Sequence, residues 1–239
     1  MHNLENGLGL CEAKAQEEFL LNCKSSGVAM CMIEKLSDIS SHWLSKNIHV
    51  DDSNLLSELK QNGGIVFTHH SFHHNLLMSY FKAIGKSGYP VVNPPTSFSS
   101  DDFLYIWTVE LNASTQTNLL GGKMLYVVDK KKLFEEMNQA LDEKGILIIL
   151  CDFNSDAKTS TNYPIFGKNL NIPTGALKYA EQKEVGVYFA GFRWCREGNY
   201  ALNLLKMTKD NGGYADDYMY RLETYLRQYP YAWQNWEHL

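Results

Sequence analysis

Hydrophobic and polar positions follow two distinct periods along this chain. Gly64-Ile65-Val66-Phe67-Thr68 and the run from Gly145 to Cys151 are apolar without alternation and too short for helices. Such runs predict strands buried on both faces, as in a parallel sheet. Tyr89 to Val92, closed by Asn93-Pro94-Pro95, and Met124 to Val128 read as further short strands. Val187 to Phe192 and Tyr200 to Leu205 read as two more, joined as a hairpin around Glu197-Gly198-Asn199. Helical periodicity marks 73–85, 101–112, 130–142, a segment after Pro173 with Thr174 near its start, and 214–228. Residues 10–46 read as one or two amphipathic helices, with a break at Ser25-Ser26-Gly27. Asp51-Asp52-Ser53 can cap a short helix that ends before Asn62-Gly63-Gly64. Residues 154–163 read as a polar loop. The alternation predicts an α/β fold: a mixed, mainly parallel sheet with helices on both faces. An N-terminal helical segment, 1–60, is expected to pack on an α/β domain spanning 61–239.

Composition narrows the function classes. The 239 residues are 44% hydrophobic, enough for an ordinary core. A net charge of -5 argues against nucleic acid as a partner. The arginines are Arg193, Arg196, Arg221 and Arg227, few forks for bidentate phosphate binding. Cys11, Cys23, Cys31, Cys151 and Cys195 include no close pair and read as free thiols of a reducing compartment. With acids near its start and no apolar run long enough to span a bilayer, the chain is expected to be cytoplasmic or to lie on a membrane surface.

Candidate chemistry concentrates in Thr68-His69-His70-Ser71-Phe72-His73-His74-Asn75, which holds four of the eight histidines. The cluster follows a buried strand and precedes a helix, and reactive groups of α/β sheets lie at the carboxyl ends of strands. Asp152 ends another such strand. Two chemistries fit. His69/His73 and His70/His74 are each spaced i,i+4, the separation at which two imidazoles on a helix grip zinc, although no glutamate lies between them as in zinc proteases. A divalent metal held by His69 and His73, with Asp152 or Asp156 assisting, would make a hydrolase. Alternatively one histidine is a general base, its second nitrogen held by an acceptor that stabilises the imidazolium. In that reading His70 is the base and Asn75 orients it. No cofactor is then required.

The cluster and four later segments resemble the lysophospholipid and lipid A late acyltransferases. Gly64 to Leu77 looks like the family's strand, H-x-x-x-x-D/E and helix. Gly145 to Asp152, with Tyr163-Pro164-Ile165-Phe166-Gly167, looks like its apolar strand, aspartate and P-F-F-G segment. Ile172-Pro173-Thr174-Gly175-Ala176-Leu177 looks like its P-T-G helix start. Pro230 to Trp236 looks like its P-x-x-W closing motif. The resemblance covers roughly residues 60–239. It implies transfer of an acyl group from a carrier-protein or coenzyme A thioester to a glycolipid hydroxyl. His70 would deprotonate the acceptor, and His69, His74, Asn75 and Asp152 would complete the catalytic group. Lys123, Phe166 and Gly167 would contact substrate.

Three departures qualify it. The acidic partner of the histidine is replaced by Asn75, an amide that supports imidazolium less than a carboxylate does. Residues 93–123 contain no arginine where the family has one, leaving Lys123 as the substitute. The N-terminal transmembrane anchor of the family is missing, and helices of residues 10–46 stand in its place. One branch resembling lipid A acyltransferases moves glycine from a carrier protein to lipid A, which confers polymyxin resistance, and the altered site suits such a donor. The implied partners are an acyl or aminoacyl carrier protein and a lipid A-type acceptor. The implied location is the inner face of the bacterial inner membrane. A site decayed at Asn75 would instead leave a lipid or carrier-protein binding module. Tyr225, Tyr229, Tyr231, Trp233 and Trp236 fit either a membrane interface or packing of the chain end. Lys130-Lys131-Lys132 fits either an acidic carrier face or a solvated helix start.

Overall fold

In the computed structural model the described residues are 7–33, 38–93, 121–153, 155, 160–195, 197–210 and 212–238. The helix expected over 101–112 lies outside them. The helices are α1 (Glu12–Ile33), α2 (Ser41–Asn47), α3 (Ser53–Asn62), α4 (His74–Ala83), α5 (Lys130–Asp142), α6 (Gly175–Glu181) and α7 (Tyr214–Gln228). The strands are β1 (Ile48–Val50), β2 (Gly64–Thr68), β3 (Gly88–Val92), β4 (Leu125–Tyr126), β5 (Ile146–Leu150), β6 (Ser160–Ile165), β7 (Lys168–Pro173), β8 (Val187–Trp194) and β9 (Tyr200–Lys206).

Seven strands form one sheet in the order β1-β9-β8-β2-β5-β3-β4. β2, β5, β3, β4 and β8 are mutually parallel, while β9 runs antiparallel to β8 and β1 parallel to β9. This is the α/β architecture with a mainly parallel mixed sheet that the periodicity predicts. β2 sits at the centre, and all five of its residues are buried. Its side chains alternate between two cores. Ile65 and Phe67 join Leu133 and Met137 of α5, Leu177 of α6 and Leu222 of α7. Val66 joins Leu44 of α2, Leu59 of α3, and Leu77 and Phe81 of α4. A strand sandwiched in this way has no solvent face, hence its unbroken apolar sequence.

Local signals account for most boundaries. Asp52 caps α3 by accepting from the Asn54 and Leu55 amides. Asp129 caps α5 by accepting from the Lys131 and Lys132 amides. That carboxylate offsets a cationic helix start, Lys130-Lys131-Lys132, which is exposed to solvent.

Four expectations need correction. The Ser25-Ser26-Gly27 break does not occur, because α1 continues through it to Ile33. Tertiary contacts on Ser25 and Ala29, both buried, hold the helix together where propensity is weak. The strand expected over Met124 to Val128 is only Leu125–Tyr126. The polar stretch ending at Tyr163 is not all loop, since Ser160–Ile165 pairs antiparallel with Lys168–Pro173 in a separate hairpin. Phe166 (φ 53°) and Gly167 (φ 74°) form its two-residue turn. Finally, the first 60 residues are not only helical: β1 is an edge strand of the main sheet, with Ile48 opposite Tyr200.

The entry into β2 depends on Gly63. Gly63 caps α3 at φ 70°, and a Cβ there would meet the Gly145 carbonyl oxygen and the Lys144 backbone at 2.5 Å. Gly63→Ala should therefore lower unfolding free energy by about 2 kcal/mol or more, read as a lower midpoint in chemical denaturation. An unchanged midpoint would show that the α3–β2 junction relaxes freely.

Candidate active site

Register brings the principal pair together. Thr68 of β2 is opposite Leu150 of β5, so His70 and Asp152 each lie two residues past the same rung of adjacent parallel strands. The side chains meet at the carboxyl edge of the sheet, with His70 Nδ1 2.7 Å from Asp152 Oδ1. The His70 backbone N–H also donates to Asp152 Oδ2 at 2.7 Å. The carboxylate is fully buried, whereas 31% of the His70 side chain is open to solvent. Because Asp152 accepts at Nδ1, that nitrogen carries the proton and Nε2 presents its lone pair. The ring of Phe153 stands perpendicular to that of His70, centroids 5.9 Å apart.

The chain end encloses this pair. Trp233, itself fully buried, donates its indole N–H to Asp152 Oδ2 at 2.7 Å. The Asn235 side-chain amide donates to the Asp152 backbone carbonyl at 2.9 Å. The Gln234 backbone N–H donates to the His70 carbonyl, also at 2.9 Å. Asp152 Oδ2 thus accepts from an indole and a main-chain amide, and Oδ1 faces the imidazole. Burial would push the carboxyl up, but the charge and hydrogen bonds of His70 hold it below the usual carboxylate range. Burial would lower His70, but the charge and hydrogen bond of Asp152 outweigh it and raise its pKa.

The other three histidines are neutral and face different ways. His69 is fully buried against Tyr225, ring centroids 5.1 Å apart. Neither of its nitrogens has a hydrogen bond of normal geometry among the described residues. His73 lies against Tyr200 and its Nε2 is 3.0 Å from Ser25 Oγ of α1. His74 donates Nδ1–H to the Ser71 carbonyl at 2.7 Å, and its ring centroid is 6.5 Å from that of His70. Burial drives all three down to about 4.

This corrects the metal pair His69 and His73. Their i,i+4 spacing would matter on a helix, but α4 begins only at His74, so the two rings contact different cores. Among the described residues no three His, Cys, Asp or Glu side chains are placed to hold a metal. Asp156 lies outside the described residues. Asn75 is buried in the first turn of α4. The acceptor at His70 Nδ1, the place expected for Asn75, is a carboxylate 82 residues along the chain.

Nor do the expected substrate contacts gather here. Lys123 precedes β4 beside the amino end of β3, away from the carboxyl edge, and its ammonium pairs with Glu136 at 2.8 Å. Phe166 is buried in the β6–β7 turn against Trp233 and Trp236, centroids 6.2 and 5.0 Å away. It braces the tail that holds Asp152. Gly167 completes that turn, with nothing within 4 Å of where a Cβ would stand. The C-terminal aromatics Tyr225, Trp233 and Trp236 are buried, which favours packing over a membrane belt. Sequence reasoning missed Trp233 and Asn235 as site residues. The P-x-x-W pattern marks the segment, but nothing local tells that its indole reaches Asp152.

The neutral histidines make acid stability a test. Unfolded, each takes a proton near 6.5; folded, each resists protonation until about 4. The unfolded chain therefore binds more protons in that window, and stability falls as pH drops through it. His69 and His73, the two most buried, should contribute most to that fall. His69→Leu should flatten the fall in Tm between pH 6.5 and 4. An equally steep fall in the variant would show that His69 protonates freely in the folded protein.

Compared with known proteins, the chain matches no family model and has no significant match among curated proteins.

Proposed function

We propose that this protein is an acyltransferase in which His70, paired with Asp152, is the general base. The observation that carries the reading is the 2.7 Å bond from His70 Nδ1 to a fully buried carboxylate, with the ring still partly open to solvent. A hydroxyl brought to Nε2 loses its proton as its oxygen attacks a thioester carbonyl. The carbon–sulfur bond of the tetrahedral intermediate then breaks, releasing the carrier thiolate, which takes the proton from His70. Asp152 holds the productive tautomer and stabilises the imidazolium. The carboxylate in this role answers the weakness of an amide partner, so the reading no longer needs Asn75 to orient the base.

The donor is a carrier-protein thioester bearing a fatty acyl or an aminoacyl group such as glycine, and the acceptor is a hydroxyl of a lipid A-type glycolipid. Support for these identities comes from the resemblance of the 64–77, 145–167, 172–177 and 230–236 segments to the late acyltransferases. An acceptor in a membrane calls for a peripheral protein, and among the described residues no helix is long and apolar enough to cross a bilayer.

The raised pKa of His70 sets the pH dependence. The base works only when neutral, so kcat/KM should rise with pH through an apparent pKa above 6.5. His70→Ala should abolish transfer, and Asp152→Asn should cost on the order of 10³-fold or more, as loss of the carboxylate does in a Ser-His-Asp triad. Full transfer activity in purified His70→Ala would sink the assignment. Mass spectrometry of lipid A from cells with and without the protein identifies the group moved: a glycine-sized increment marks the aminoacyl donor and a longer one a fatty acyl donor. No increment would remove lipid A as acceptor.

A further inference from the structure

α1 is built inside out for a surface helix. Phe19, Leu20 and Met30 point to solvent, at 42%, 52% and 69% exposure. The inward stripe is small or polar: Ala15, Glu18, Asn22, Ser25 and Ala29, spaced by three and four residues along one helix face. Little apolar area is gained by docking such a face, so specific hydrogen bonds determine where the helix sits. Three of them, from Asn22 and Ser25, reach the surroundings of the base. The Asn22 amide donates to the carbonyls of Tyr231 and Trp233, at 3.0 and 2.9 Å. Ser25 Oγ meets His73 Nε2 at 3.0 Å.

We propose that Asn22 is a positioning residue for the His70–Asp152 pair, acting through the turn 231–233. Its two bonds straddle Ala232 and fix the backbone on both sides of it. Trp233, thus held, aims its indole N–H at Asp152 Oδ2, and the next residue, Gln234, donates to the His70 carbonyl. The same amide therefore constrains both members of the pair from outside. Neither strand does this. β2 and β5 bring the two residues to one edge, and the tail closes the carboxylate against water. Without the Asn22 anchor the turn has two unsatisfied carbonyls beneath a helix, and the indole moves from the carboxylate. A hydrated Asp152 raises the pKa of His70 less. The inference rests on His70 as base, and not on the identity of the transferred group.

The test is a histidine ¹⁵N NMR titration of the full-length protein, comparing wild type, Asn22→Ala and Ser25→Ala, with the exchange rate of the Trp233 indole proton read in the same samples. In Asn22→Ala the His70 midpoint should fall towards 6.5 and the indole proton should exchange faster, with the far-UV spectrum retained. Ser25→Ala, at a buried site on the same face, should leave both unchanged. In a transfer assay Asn22→Ala should lower kcat on the order of 10-fold to 100-fold, with KM little altered. If Asn22→Ala does not fold, Asn22→Ser keeps one donor and should show the same changes at smaller size. An unmoved His70 midpoint in a folded Asn22 variant overturns the proposal, as do equal changes in Ser25→Ala, which would mean that general packing of α1 is responsible. Absence of transfer by the wild type would sink the acyltransferase reading while leaving the titration result intact.

Discussion

A charged carboxylate enclosed between the ends of two parallel strands persists only if donors surround it, because its desolvation costs several kcal/mol. Asp152 meets that requirement with the His70 ring, the His70 amide and the Trp233 indole. The three donors come from two separate parts of the fold. The ring and amide come from the turn after β2, and the indole from the chain end. Meeting the needs of one anion therefore ties the centre of the sheet to the tail, and the tail in turn to α1. The site and the closure of the fold are the same set of bonds.

That constraint also explains why four neighbouring histidines behave differently. His70 alone has a carboxylate on one nitrogen and solvent near the other. His69, one residue earlier, points to the opposite core and packs on Tyr225. His73 and His74 find neutral partners, a hydroxyl and a carbonyl. Imidazoles without an anion in a dry environment stay unprotonated. Their abundance in the sequence suggests shared function, whereas the structure gives three of them packing and hydrogen-bonding roles around the His70–Asp152 pair. His74 is the one whose ring lies near that of His70, with centroids 6.5 Å apart.

Much of the fold was legible in the sequence because it depends on short-range patterns. The two unbroken apolar runs are β2 and β5. Asp52 begins a helix as its cap, as the Asp51-Asp52-Ser53 run predicts. Tyr214–Gln228 has the extent its periodicity predicts. The failures occur where long-range contacts override local preference. A serine-serine-glycine step remains helical under the tail, a polar stretch becomes a hairpin strand, and three residues of a helical segment complete the sheet edge. The candidate site divides in the same way. A histidine after one buried strand and an aspartate after another identified His70 and Asp152, and placed both at the carboxyl edge.

What could not be read was who holds whom. The H-x-x-x-x-N spacing pointed to Asn75 as the orienting group, because sequence distance was the only distance at hand. The bond is instead made across strand register: Thr68 and Leu150 share a rung, so residues 82 apart meet. Trp233 and Asn22 enter the same way, from elements distant in the chain. By itself the sequence determined which segments bury their backbones in a parallel sheet and which side chains stand at its carboxyl edge, since both follow from local periodicity. Only the tertiary structure decided the partner of His70 and the elements that shield it, because those depend on strand order and register, which no local pattern encodes.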